Sequence, residues 1–492
     1  MADPTFPRRL ALLAEEEPGR IAITCGEDTI TRADLVSRSN RLARELVELR
    51  VEVGSMVTIA LPNSIDFVVA VAAAWAVGAT PQPVSSRLPS RELASIVELA
   101  DSLVVIGADP GTFPDRTCLP VGHQPSADLD DAALPDVASP SWKAPTSGGS
   151  TGRPKLIVAG DPAVYVEGFA SFLGFTADGT LVMPGPLYHN GPFIWTCQAL
   201  LRGSSVALLE RFDAEATLAA IGAHHATVAY LVPTMMKRIW RLPEEVRDRY
   251  DLSSLTTVWH LAEPCPDWLK QVWIDWLGPE RIFELYAGTE GQTSTIITGT
   301  DWLAHRGSVG RPAPDTVQIA DEDGNEVPAG VHGEIWLRSA REAPTYRYVG
   351  AEARTREGGW ESLGDRGWLD GDGYLYLGDR TGDMILTGGA NVYPAEVEAA
   401  IAEHPAVRSC VVFGLPDEDK GNVIHAVVEA DESELDVEEL LAFLRERLVA
   451  YKLPRTVEVV DQALRDDAGK VRRGELRALR LAALSSPASP GA

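Results

Sequence analysis

The sequence predicts an α/β fold that closes in a barrel-like unit and is followed by a small α+β domain. Three observations carry that prediction. Apolar stretches of strand length alternate with helical periodicity up to about Pro312. Short strands separated by Asp-Gly turns then take over as far as the Arg380 region. Beyond it, about a hundred residues return to helices and strands, the size of a small independent domain. At 492 residues the chain exceeds what one core organises, and 45% hydrophobic residues suffice for a core in each part.

Each element has a local reason. Thr31 before Arg-Ala-Asp-Leu reads as an N-cap, and the amphipathic pattern behind it predicts a helix to about Leu49. Residues 56–61 follow as a buried strand. The apolar run 67–79, entered from Asp66, is too short to cross a bilayer and reads as a buried helix. Strands at 103–107, 205–209, 228–232 and 257–261 continue the alternation, which predicts largely buried sheets. In the short-strand region, residues 317–320, 333–337, 368–369 and 374–377 are the strands. The last part holds a helix over 394–403, strands at 408–415 and 422–429, a helix over 436–448 and a terminal helix. Residues 485–492 are tail by composition.

Composition narrows the function. A formal charge of −27 argues against nucleic-acid and anionic-membrane partners, because no large basic face is available. The five cysteines (Cys25, Cys118, Cys197, Cys265, Cys410) are scattered without a CxxC pair, so neither a disulfide framework nor a zinc cage is indicated. The N-terminus lacks the apolar core of a signal peptide, and a cytoplasmic location is expected. The adjacent His224 and His225 cannot turn two metal ligands the same way on a helix or strand.

Chemistry concentrates in one loop. Thr146, Ser147, Gly148, Gly149, Ser150, Thr151 and Gly152, closed by Arg153-Pro154-Lys155, offer hydroxyls and glycine amides that can curve around phosphate, while Lys155 adds charge. A kinase-type P-loop is excluded, because Gly-Lys-Ser/Thr is missing and Pro154 would break the helix that such a loop opens. A flexible Ser/Gly surface turn is the alternative. His189, among Tyr188, Asn190, Phe193 and Trp195, suits an acyl pocket or a structural role.

This loop resembles the phosphate loop of the adenylate-forming superfamily of acyl-CoA synthetases, luciferases and peptide-synthetase adenylation domains. Further motifs follow in that family's order: Pro186-Leu-Tyr-His-Asn-Gly191, Tyr286-Ala-Gly-Thr-Glu290, Gly333-Glu-Ile-Trp-Leu-Arg338, Ser362-Leu-Gly-Asp365, Asp379-Arg380, Gly388-Gly-Ala-Asn-Val-Tyr-Pro-Ala-Glu-Val-Glu398, and Gly469-Lys470-Val. The resemblance covers nearly the whole chain and implies a large N-terminal α/β domain with two sheets and a small barrel (1–381), a small mobile α+β lid domain (382–484) and a tail (485–492). It also implies an acyl-CoA ligase using ATP, Mg²⁺ and coenzyme A, which makes an acyl-AMP from a carboxylic acid. Similarity to bile-acid-type ligases implies a bulky polycyclic or aromatic acid. The oligomeric state is left open, a homodimer among the options.

Roles carry over residue by residue. Glu290 is the implied magnesium ligand and Thr289 a phosphate partner; Asp365 and Arg380 hold the ribose, and Tyr286 stacks beside adenine. Ala262 and Glu263 belong to the adenine loop, Gly388 and Gly389 to the CoA-side loop, and Lys470 is the catalytic cation, with His189 at the acyl pocket. The chain departs from the pattern at Leu261 and Glu263, where small residues usually flank the alanine, at Ala287, at the hinge residue Gly382, and at Asp466 and Asp467. Leu261 and Glu263 motivate two expectations: exclusion of ATP in favour of acyl-AMP, and specialisation for thioester formation. A non-catalytic nucleotide-binding homologue is the other alternative. A peptide-synthetase adenylation domain fits less well, because no aspartate stands in the His189 motif to hold an α-amino group.

Overall fold

The computed structural model describes residues 3–148, 154–378, 385–387, 390–417, 421–431, 433, 435–466 and 469–485. The central sheet has parallel strands in the order Ile282–Ala287, Thr257–Leu261, Val228–Leu231, Thr180–Met183, Ser205–Leu208 and Ile21–Cys25, with antiparallel edges Ser294–Thr298 and Asp28–Thr31. A second, all-parallel sheet runs Thr80–Pro83, Met56–Ile59, Val104–Ile106 and Thr117–Leu119. Parallel strands are covered on both faces, which is why these segments read as continuous apolar runs.

Helix Ile65–Val77 is buried at every residue but Asp66, as its otherwise apolar sequence requires, and packs on helix Arg32–Glu48. Thr31 Oγ1 accepts from Asp34 N at the start of the latter helix, so the expected cap is in place. The short-strand region forms a seven-stranded sheet between Ser308 and Gly378, with its own small core around Val309, Ile319, Ile335, Leu337 and Leu375. A separate core around Val397, Ile401, Val412 and Leu440 organises the last part, where strands Ser409–Asp417, Gly421–Glu429 and Thr456–Val460 lie against helices Pro394–Ala402, Val437–Arg445 and Arg473–Ser485. Among the described residues no helix is long and apolar enough to cross a membrane.

The structure refines the sequence reading in two places. The phosphate-loop segment begins as a strand, Thr146–Gly148, which pairs antiparallel with Pro154–Ala159; Tyr346–Val349 adds a third strand from far along the chain. Local patterning cannot show so distant a pairing. The helix expected at 436–448 runs Val437–Arg445: Asp436 is its N-cap, accepting from Glu438 N, and Glu446 is its C-cap.

One buried ion pair ties the central sheet to its covering helix. Lys270, on helix Asp267–Leu277, is fully buried, and its Nζ lies 2.5 Å from Glu284 Oε2. His260 stands beside them, held well below the ordinary imidazole range by burial and by Lys270. Burial pushes the Glu284 carboxyl up, and Lys270 opposes that push. Removing one partner strands a charge in the interior, at a cost of about 3–5 kcal/mol, whereas replacing both by apolar residues is far milder. Lys270→Met is therefore expected to lower the thermal midpoint sharply, and Lys270→Met with Glu284→Leu to recover most of the loss, as melting curves of the two variants will show.

Candidate active site

Three clusters gather the residues that the sequence singles out. The first joins the phosphate-loop hairpin to the Glu290 turn. Lys155, on strand Pro154–Ala159, places Nζ 3.5 Å from Glu290 Oε1 and 3.8 Å from the Tyr348 ring centroid. Tyr348 donates its hydroxyl to the same Glu290 oxygen at 2.5 Å. Burial and this bond raise the Tyr348 hydroxyl above its ordinary range, so it remains a donor. Thr289 and Glu290 follow directly on strand Ile282–Ala287, and Glu290 is buried although it is an acid. A Cβ at Gly288 would meet the end of the Leu363 side chain and press on Glu290 Oε2. Thr146 Oγ1 accepts from the buried Gln82 Nε2 at 2.8 Å, and Ser147 and Gly148 continue that strand. Gly149, Ser150, Thr151 and Gly152 lie outside the described residues, as do Arg380, Gly382, Gly388 and Gly389.

The second cluster joins two motifs distant in sequence. Tyr286 donates its hydroxyl to Asp365 Oδ2 at 2.9 Å. The expected adenine-side ring and the expected ribose-side carboxylate are thus one hydrogen-bonded unit. Ala287, where the family has glycine, is an exposed strand end and crowds nothing.

The third cluster brings the last part of the chain onto the first. Strand Thr257–Leu261 ends at Ala262, whose φ of 73° is left-handed and unusual for a residue with a Cβ. Leu261 is 8% exposed and packs in the central core. Glu263 accepts from Thr234 N at 3.0 Å and from Thr234 Oγ1 at 2.9 Å, satisfying the first turn of helix Pro233–Trp240. Against this carboxylate lies Gly469, with φ of 78°, where any Cβ would fall on Glu263 Oε1. Lys470 follows, its N donating to Asp466 Oδ1 at 2.9 Å. Asp466 Oδ2 lies 3.5 Å from His189 Nε2, and His189 occupies the N-cap position of helix Asn190–Arg202. His189, Glu263 and the Lys470 loop are therefore neighbours.

The Glu263 carboxylate, expected to stand against ATP, is turned to the start of helix Pro233–Trp240. Its oxygens are engaged by the helix start, and burial pushes its carboxyl up to about 7, with Arg465 and Thr234 opposing and Asp466 assisting. A group so placed carries only part of a charge near neutrality.

Sequence reading did not single out Lys143, Tyr348 or Arg465. Lys143 is 5% exposed, donates to Asn190 Oδ1 at 2.7 Å and is pushed down to about 8 by burial, Glu290 and Asp161 opposing. It fixes the residue after His189. The signal for Tyr348 was available: Tyr346 and Tyr348 alternate with period two, and one face of a strand carries both.

Comparison with known proteins agrees with this geometry. Residues 11–347 match the AMP-binding enzyme family and residues 396–470 the AMP-binding enzyme C-terminal domain. The chain is 32% identical to a feruloyl-CoA synthase of an Amycolatopsis species over 94% of this chain and 96% of that one. It is 30% identical to a 2-succinylbenzoate–CoA ligase of Bacillus licheniformis over 96% and 99%. Its fold is similar to the o-succinylbenzoate CoA synthetase of Bacillus subtilis in complex with its acyl-adenylate intermediate, with a TM-score of 0.81, 26% identity and coverage of 97% and 98%.

The raised Glu263 group predicts a pH dependence. Because its folded value near 7 exceeds the ordinary 4.5, the stability it contributes is complete below the ordinary value and is lost as pH rises through about 7. Glu263→Gln keeps an acceptor for Thr234 without the charge. Its melting temperature relative to the native protein is expected to rise between about pH 5 and about pH 8, and a difference that stays constant over that range would contradict the assignment.

Proposed function

The chain belongs to the AMP-binding enzyme family, and from that premise we propose that it is an AMP-forming acyl-CoA ligase in which the docked Lys470 loop completes the adenylating site. In the first step a carboxylate oxygen attacks the α-phosphorus of ATP, the bond to pyrophosphate breaks, and acyl-AMP forms. In the second, the coenzyme A thiol attacks the acyl carbon, the acyl–oxygen bond breaks, and AMP leaves with the carboxylate's oxygen. Positioning and charge neutralisation are the main contributions open to the protein. The observation that carries the reading is the seat of Gly469-Lys470 against Glu263 and beside His189.

The residues divide the work. Lys155 presents a cation from the phosphate-loop hairpin, held in place by the Tyr348 ring and Glu290. Asp365, oriented by the Tyr286 hydroxyl, presents its carboxylate to the ribose hydroxyls. Glu290 commits Oε1 to Tyr348 and Lys155 and keeps its second carboxylate oxygen, a hard donor that would hold Mg²⁺, which would there supply charge neutralisation for the polyphosphate. Lys470 supplies the cation between carboxylate and α-phosphate. His189 turns toward the acyl group and thiol. Arg380, Gly388 and Gly389 keep their expected ribose and CoA-side roles within the same proposal.

The acid is proposed to be aromatic. The relatives named for ferulate and 2-succinylbenzoate share most of this chain's length. Specialisation for thioester formation alone loses its motive, since Leu261 faces the core and Glu263 serves a helix start.

A panel of carboxylic acids, scored separately for pyrophosphate and for CoA thioester, tests the assignment: aromatic acids should yield both products in equal amounts, and no acid yielding either would overturn it. Lys470→Ala is expected to slow acid-dependent pyrophosphate exchange by about 10²–10³, the usual loss for one transition-state donor. Conversion of supplied acyl-AMP to thioester should be nearly preserved. Equal losses would refute the division of labour.

A further inference from the structure

Helix Pro233–Trp240 follows the central-sheet strand Val228–Leu231, and one of its faces meets both the Glu263 turn and the last part of the chain. Thr234, Lys237 and Arg241 recur at i, i+3 and i+7, the spacing of a single helical stripe. Thr234 holds the Glu263 carboxylate on which Gly469 rests. Lys237 is 8% exposed, with Cys410, Arg465 and Glu429 of the last part among the groups whose fields it feels. Arg241, at the helix's C-cap, sends its guanidinium across to three backbone carbonyls: Val407 O, His404 O at 3.0 Å and Ala402 O at 3.5 Å.

Those carbonyls sit at and just beyond the end of helix Pro394–Ala402. The final carbonyls of a helix lack intrahelical donors and carry the negative end of its dipole, so a planar cationic fork is well matched to them. From the gripped helix a continuous set of contacts leads to the catalytic cation. Glu398, on that helix, accepts from Arg473 Nη2 at 2.6 Å and from Val412 N at 2.8 Å, and lies 3.7 Å from Arg465. Arg465 donates to Gly469 O at 2.9 Å, one residue before Lys470.

We propose that Arg241 is a positioning residue for adenylation: by gripping the Ala402 carbonyl at the end of helix Pro394–Ala402 and the His404 and Val407 carbonyls of the turn beyond it, it holds the last part of the chain in the arrangement that delivers Lys470 to the site. The inference rests on the reading that Lys470 serves the first half-reaction. Arg241 touches neither substrate nor the reacting atoms and acts through the Glu398–Arg465–Gly469 contacts. Its loss lowers the population of the docked arrangement rather than altering the chemistry within it.

The test uses the full-length protein and two assays, acid-dependent pyrophosphate exchange and thioester formation from supplied acyl-AMP. Arg241→Ala should lower kcat for exchange by about tenfold or more, with KM for ATP little changed, and leave thioester formation within about twofold. Arg241→Lys, which keeps the charge and loses the fork, should fall between. Arg238→Ala, an exposed position on the same helix, should change neither. Equal loss in both assays for Arg241→Ala and Arg241→Lys, or no loss in either, overturns the proposal when Lys470→Ala is selective for exchange. If Lys470→Ala is itself unselective, the underlying reading of Lys470 falls and the proposal falls with it.

Discussion

The Cα of Gly469 rests against the Glu263 carboxylate, and much of the site follows from that contact. Only glycine fits, both because a Cβ would occupy the position of Glu263 Oε1 and because φ is 78°. The contact sets where Lys470 emerges and leaves Asp466 beside His189. It is built from both directions. On one side Ala262 takes a left-handed turn and Glu263 binds Thr234; on the other Arg465 holds the Gly469 carbonyl. A loop clamped in this way fixes the backbone from which Lys470 projects.

Much of the fold was legible because its determinants are local. Thr31 caps where a threonine before an amphipathic run should, and the apolar run from Asp66 became a helix buried on all sides. The structure also brings together motifs distant in sequence: Tyr286 meets Asp365, and the Lys470 loop meets His189. What escaped was direction and distant pairing. Glu263 was legible as an acid in an adenine-loop segment, but composition does not say that its carboxylate turns to a helix start. Leu261 looked like an obstruction, although alternation along Thr257–Leu261 puts it on the same core-facing side as Trp259. Tyr348 reaches Glu290 only because strand Tyr346–Val349 pairs with Pro154–Ala159, a register no local window contains. Lys143 is buried against every expectation for its residue type, and its bond to Asn190 Oδ1, the fields of Glu290 and Asp161 and the Trp142 ring show how it is tolerated.

The electrostatic design follows from the same geometry. A protein with formal charge −27 must nevertheless receive a polyphosphate, and it does so by setting Lys155, Lys143 and Arg465 near the site while its acids are engaged by hydroxyls, amides or guanidinium groups. Glu290, Asp365 and Glu263 are each hydrogen-bonded by a tyrosine or a threonine, which fixes their oxygens before any ligand arrives. Preorganised groups of this kind act on the charge that develops during transfer rather than on the ground state alone.

The central claim is chemical, that the acid's own oxygen bonds to the α-phosphorus before coenzyme A takes the acyl group. An aromatic acid carrying heavy-isotope oxygen in its carboxyl group, incubated with ATP, coenzyme A and the protein, tests it by mass spectrometry of the released nucleotide. The account predicts AMP bearing one heavy oxygen for every thioester formed. Thioester formed with unlabelled AMP, or with ADP as the nucleotide product, would contradict it.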